Sequence, residues 1–411
     1  MSQDDYYDAN IPELSPDPLV QAPKLPWDEH MIELQPKIED SIGLISPGLW
    51  SVGSLMLCQK LEEGKDLPPD AVCNWVDDGI TYCIRKRATP KTDKVAEGDT
   101  ENSRHRKFGG NTRGFWSLSP NTFCKVKSWT EGITTEATTI RWLNQNIPSL
   151  PTEKVIFDWV DPEWNRTFMI TERIHASIYQ DAWASLSPTQ RYQVAEQVAI
   201  YVKKLSEYKS DYLETVDGNA LPGVWSLREG REALPFWKKR IEPRVNKEEY
   251  KAYIDHLRKR YGVVAEMPFP DEPFALQHMD LAPTNFFVTV PDKSDPDQKP
   301  KLVAIIDWEY VGYYPIGKTT TRPRIMRHFM VSTRPFSFKG SDWQHMLSNA
   351  CRRAGLPFAW EYEKEFIQKS TYRNYPGLPF GWHHSDWYLN IAEGDDYDQR
   401  SDEDDVSPDS A

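Results

Sequence analysis

The chain has 411 residues, 39% apolar and 12% aromatic, which is enough for two domains of ordinary size with real cores. Net charge is −13, but residues 393–411 hold nine acidic residues against Arg400, so the tail carries −8 and the rest about −5. This balance argues against nucleic acid as the main partner, and the lack of any run of 18 apolar residues argues against a membrane-spanning helix.

Residues 1–45 are Pro-rich and acidic and read as an N-terminal extension without a secretory apolar region. Over 46–87, short apolar or aromatic runs (Leu55–Leu57, Thr81–Ile84) read as strands or a small hairpin. Residues 88–107 are polar and read as an exposed, loosely attached loop. Residues 108–127 read as two strands around a turn. A helix is predicted over 132–146, with Ile133, Ala137, Ile140 and Leu143 on one face. Strands are predicted at 153–159 and 166–172.

The strongest helix signal lies at 188–208. Ser187 is its N-cap, Pro188 fits the first turn, and Gln190 completes a capping box. Val194, Val198, Tyr201, Val202, Leu205 and Tyr208 then step by three and four, the mark of a buried core helix. The tryptophans from Trp360 to Trp387 suggest a packed C-terminal region, and 393–411 reads as a disordered acidic tail. Five cysteines without CxxC spacing argue for a reducing, cytoplasmic setting and against zinc.

Residues 274–310 carry the chemistry. His278-Met279-Asp280-Leu281-Ala282-Pro283-Thr284-Asn285 is framed by the apolar runs Phe274–Leu276 and Phe286–Val288. Two short apolar runs around a Pro-containing turn predict a hairpin. Asp307 ends a third apolar run, Leu302–Ile306, which places it near the same end. Carboxylate and amide oxygens gathered there suit a hard cation such as Mg2+ with a bound phosphate.

The pattern His-x-Asp-x4-Asn, then Ile-Ile-Asp-Trp-Glu and Gly-Tyr-Tyr-Pro, resembles the aminoglycoside phosphotransferase (choline-kinase-like) family, over roughly 105–390. The resemblance implies an α+β, two-lobed, protein-kinase-like fold. A small β-rich N-lobe would span 46–171, including the polar loop 88–107. A larger, mainly helical C-lobe would span 172–392. It also implies roles: Asp280 as the base that takes the acceptor's proton, and Asn285 and Asp307 as Mg2+ ligands. Gly109, Gly110 and Asn111 would cover the phosphates of ATP or GTP.

Phe123-Cys124-Lys125-Val126-Lys127 resembles the family's lysine strand, with Lys125 in the lysine slot and Glu136 as its helix partner. Strand parity alone does not separate Lys125 from Lys127, and Glu131 rivals Glu136. Phe168–Ile174 resembles the hinge, where Thr171 C=O and Arg173 N–H would read the base and Met169 or Ile170 would pack on it. His278 would brace the loop; Glu309 would bind metal through water or fix the loop. The partners implied are a nucleotide and a small-molecule hydroxyl acceptor, with no nucleic acid or membrane and an open oligomeric state. The alternatives are a nucleotide-binding pseudoenzyme or scaffold and, less favoured, a protein kinase, since no D-F-G or A-P-E run is present.

Overall fold

In the computed structural model of the chain, residues 37–93, 95–100, 105–107, 113–219, 221, 244–252, 272–292, 298–316 and 342–357 are described. Gly109, Gly110, Asn111, the 360–387 region and the acidic tail lie outside them. Two compact units emerge. The first draws on residues up to 146, on 152–175 and on 219–221; the second draws on 147–151, 176–218 and the described residues from 244 onward.

The first unit is built on two five-stranded antiparallel sheets. One holds β1 (Ile42–Ser46), β2 (Leu49–Val52), β3 (Met56–Lys60), β4 (Ala71–Asp77) and β5 (Ile80–Lys86), in the order β1-β2-β3-β5-β4. Asp78 and Gly79, both at positive φ, close the β4–β5 hairpin, and such pairs suit a two-residue turn whose twist matches the strands. The other sheet holds β6 (His105–Lys107), β7 (Arg113–Ser119), β8 (Thr122–Ser128), β9 (Val155–Asp161) and β10 (Arg166–Glu172), in the order β6-β7-β8-β10-β9. Helix α1 (Glu136–Asn146) lies between β8 and β9 in the chain.

Alternation along the strands explains how the sheets stack. Ile42, Val52, Cys58 and Ile84 of the first sheet share one buried cluster with Trp116, Leu118, Cys124, Val126, Phe168 and Ile170 of the second. Side chains of period two make this a face-to-face sandwich. Two buried carboxylates tie it. Asp161 accepts from Ser54 N at 2.7 Å and Ser54 Oγ at 3.0 Å. Asp77 accepts from Asn121 N and Asn121 Nδ2, each at 2.7 Å. Residues 46–87, read as strands or a small hairpin, thus complete a whole sheet.

The loop 88–107 also differs from expectation. Ala96 N donates to Asp40 O at 2.7 Å, and Leu44 and Asp99 exchange main-chain bonds at 2.9 and 3.0 Å. Residues 105–107 form β6. The reason is size: Gly98 sits at φ +92°, and a Cβ there would lie 2.4 Å from Leu44 O. Polar composition did not prevent docking, because small residues let the backbone reach β1.

The second unit begins with β11 (Ser177–Ile178), α2 (Tyr179–Ala182) and α3 (Pro188–Ser206). Ser187 caps α3 as predicted: its side chain accepts from Gln190 N, and Gln190 returns a bond to Ser187 N. Next come β12 (Lys209–Ser210), β13 (Tyr212–Leu213), β14 (Val245–Asn246), β15 (Phe274–Gln277), β16 (Phe286–Val288), β17 (Leu302–Ile305), β18 (Gly312–Tyr314) and α4 (Asp342–Arg353), which packs on α3. The α+β content is therefore present in both units. No described helix is long and apolar enough to cross a membrane.

The predicted hairpin over 274–288 does not form. β15 pairs with β12 and β18, whereas β16 pairs with β11 and β17. The eight residues between β15 and β16 fold into a 3-10 turn at Pro283–Asn285 and are held by other parts of the unit, so the strands flanking them take different partners.

Candidate active site

Three segments of the second unit meet at the loop 278–285. Asp280 N donates to His278 Nδ1 at 3.2 Å, so that nitrogen is an acceptor, and Nε2 carries the proton that it gives to Ile306 O at 3.0 Å. Ile306 N donates in turn to Asn285 O at 2.9 Å. The His278 ring stands edge-on to Trp308 at 4.5 Å. Asp280 and Asp307 are brought together by this lacing, without the predicted hairpin. His278 braces the loop through both ring nitrogens.

Trp343, missed by sequence reading, holds the same loop, and Trp308 of the Asp-Trp-Glu run braces the strand before Asp307. Trp343 of α4, fully buried, donates through Nε1 to Leu281 O at 2.9 Å and packs on Phe286 and Tyr179. Trp308 donates through Nε1 to Ile305 O at 2.8 Å. A tryptophan 62 residues from its partner carries no local signal; only an apolar-periodic helix at 342–353 hints at burial.

Met279 and Asp307 both adopt φ +68°. Non-glycine residues rarely hold this left-handed conformation, and such strain persists where surroundings over-determine it, commonly at working sites. Asp307 precedes the turn Trp308–Tyr310 without capping it. Burial, and then repulsion from Asp307, hold the Asp280 carboxyl above the usual carboxylate range. Glu309, also buried, adds to the repulsion.

This donor set fits a hard cation. Asn285 commits its amide nitrogen to Asp280 O at 2.8 Å, and its oxygen accepts a long bond from Thr284 Oγ1 at 3.4 Å. Crowded carboxylates that repel each other are relieved by a divalent ion. Among the described residues no group of three His, Cys, Asp or Glu is set to hold a metal. Asn285 and Asp307 offer the amide and carboxylate oxygens that a hard cation such as Mg2+ could take.

The first unit carries the lysine site. On β8, Cys124 and Val126 face the sandwich core, so Lys125 and Lys127 share the opposite face. Lys125 Nζ donates to Glu136 Oε1 at 2.6 Å, and Lys127 Nζ lies 2.9 Å from Glu136 Oε2. Both lysines grip one carboxylate, so the structure selects Glu136 over Glu131, which is exposed. Glu153, unnoticed in the sequence, lies 3.6 Å from Lys125 Nζ and is buried too. Its carboxyl is pushed up to about 7, first by burial and then against the pull of Lys125, with Glu136 adding to the rise.

The hinge reading needs correction at Arg173 and Ile170. Arg173 N donates to Asn121 O at 2.8 Å, so that donor is already engaged. Its guanidinium donates to Pro120 O at 2.7 Å and lies 3.9 Å over the Phe123 ring. Ile170 belongs to the sandwich core, leaving Met169 on the lysine face, opposite Lys125. Thr171, buried, sits opposite Phe123 and Val155 beside an irregularity in the β9–β10 ladder.

Residues 123–317 match the sequence profile of APH, described as "Phosphotransferase enzyme family". This segment is similar to the phosphotransferase enzyme family. The match runs from the lysine strand through Asp280, Asn285 and Asp307, so all the predicted site residues except Gly109, Gly110 and Asn111 fall inside the matched segment. No curated protein matches the chain. Solved structures similar to it include aminoglycoside 2′-phosphotransferase-IIIa in its GDP complex, 12% identical over 70% of this chain and 90% of that one, with a TM-score of 0.40. ADP-bound aminoglycoside phosphotransferase APH(2″)-Ib is 13% identical over 71% and 90%, with a TM-score of 0.37. A thermostable APH(4)-Ia mutant in complex with ADP and hygromycin B is 12% identical over 64% and 82%, with a TM-score of 0.38. The similarity to the family rests on the sequence match alone.

Proposed function

We propose that this chain is a Mg2+-dependent phosphotransferase that moves the γ-phosphoryl group of ATP or GTP to a hydroxyl of a small molecule. The observation that carries this reading is the lacing of 278–285 to 306–307, which brings a candidate base, Asp280, within electrostatic reach of a candidate metal ligand, Asp307, inside a family-matched segment. Asp280 accepts the hydrogen bond of the acceptor hydroxyl and takes its proton as the new phosphorus–oxygen bond forms and the γ-phosphorus bond to the departing ADP or GDP breaks. Asn285 and Asp307 would hold Mg2+, which when bound offsets charge on the phosphate oxygens. Lys125, fixed by Glu136, neutralises phosphate charge. Little covalent chemistry is asked of the protein; alignment and charge do most of the work.

The acceptor stays at the level of a hydroxylated small molecule. The testing experiment is a screen of a metabolite pool with Mg-ATP and Mg-GTP, scored for phosphorylated products by mass spectrometry, with Asp280→Asn as control. Products that depend on Mg2+ and vanish in Asp280→Asn support the reading. Nucleotide binding with no product in a broad pool favours a nucleotide-binding pseudoenzyme.

A further inference from the structure

The lysine site holds two more charged side chains than a single lysine–glutamate pair needs. Lys125 and Lys127 leave β8 on the same face, and Glu136 rises from the first residue of α1 to meet both. Glu153 approaches from the segment before β9. All four are at least nine-tenths buried. The described residues of the surrounding elements add further groups. β7 brings the Phe115 ring, 5.6 Å from Lys125 Nζ, and Arg113 opposite Lys127. β10 brings Met169 opposite Lys125, and β9 brings Asp158, which is paired with Arg141 of α1.

The distances show an unequal division of Lys125. It is bonded to Glu136 at 2.6 Å but only approached by Glu153 at 3.6 Å. Were both glutamates ionised, two cations would face two anions and leave nothing over for a phosphate. With a proton on Glu153, the cluster carries one net positive charge. Such a proton also lets Glu153 donate to Glu136, an interaction two carboxylates otherwise cannot make.

We propose that Glu153 is a positioning residue of the nucleotide grip, sharing Lys125 with Glu136 and setting by its protonation how much lysine charge is offered to a phosphate. The inference rests on the reading of Lys125 as the lysine that contacts phosphate. Protonated Glu153 holds Lys125 weakly, so the ammonium is directed by Glu136 alone. Ionised Glu153 draws Lys125 toward itself and competes with the phosphate. Nucleotide binding then takes up a proton whenever Glu153 is ionised beforehand, and affinity falls as pH rises through neutrality.

The test is calorimetric titration of the full chain with Mg-ATP and with Mg-GTP at pH 6.5, 7.5 and 8.5, for the parent and for Glu153→Gln. The parent is expected to bind about tenfold more weakly at pH 8.5 than at 6.5, within the tenfold-per-unit limit of one linked proton. In Glu153→Gln the affinity becomes independent of pH. A purely structural role would change melting temperature without altering the pH slope of Kd. Parallel pH profiles in the two proteins overturn the inference and leave the phosphotransferase reading standing. A parent that binds neither nucleotide at any pH overturns that reading first, and this inference with it. Should Glu153→Gln not fold, the parent titrated at pH 7.5 in two buffers of different ionisation enthalpy decides. Uptake of half a proton or more per nucleotide supports the inference, and zero uptake sinks it.

Discussion

Asp280 and Asp307 are both carboxylates in one small site, and they differ in what their loss should remove. Asp280→Asn keeps the side chain's shape but not the proton acceptor. Turnover is expected to fall on the order of 10²–10⁴-fold, with Mg-nucleotide binding retained. Asp307→Asn removes a charge from the cation's ligands, so Mg-dependent nucleotide binding should weaken before chemistry is reached. Calorimetry and product formation together separate the two, and equal binding with parental turnover in Asp280→Asn would reverse the assignment. These residues were legible because His-x-Asp-x4-Asn and the strand-ending Asp307 are local patterns. Glu153 was not, since only folding brings the segment before β9 to β8 and α1. Arg173 was misread for a related reason: its N–H looks available in sequence, and only the turn at Asn121 shows that it is engaged.

Glu153 also bears on stability. Its folded value, about 7, lies above the ordinary glutamate range near 4.5. A raised carboxyl favours the fold while protonated, so this contribution is fully present below about 4.5 and is lost as pH rises through about 7. Chemical denaturation at pH 6 and pH 8.5 should show the parent less stable at the higher pH, and Glu153→Gln should flatten the difference. An identical pH trend in the variant would place the titrating group elsewhere.

At the level of elements, local chemistry was read well and pairing poorly. The Ser187–Gln190 capping box is written within four residues, and α3 starts where it says. Ser187→Ala is expected to lower stability by about 1 kcal/mol, read from the denaturant midpoint with an unchanged slope. No measurable loss would mean that packing of α3, not its cap, fixes the helix start. Strand partners are set by tertiary structure, which is why adjacent apolar runs at β15 and β16 suggested a hairpin that does not exist. The same limit hid the first sheet. Its strands are short, and their buried faces make sense only against Trp116, Cys124 and Phe168 of the second.

For the whole molecule, the decisive property is whether a metal–nucleotide complex binds the folded chain. A ligand that binds only the native state stabilises it by mass action, by about 2.7 kcal/mol at a hundred times Kd. For units of this size that corresponds to a rise in melting temperature of roughly 5–10 °C. The rise should require Mg2+ together with ATP or GTP and should be reversed by a chelator, as expected of the ligand roles proposed for Asn285 and Asp307. Lys125→Met should reduce it as well, and its partial loss would separate the lysine's share from that of the cation. Melting curves of parent and variants at millimolar nucleotide, with and without Mg2+, supply the measurement. A folded parent whose melting temperature does not move under any of these conditions would remove nucleotide binding, and with it the phosphotransferase reading.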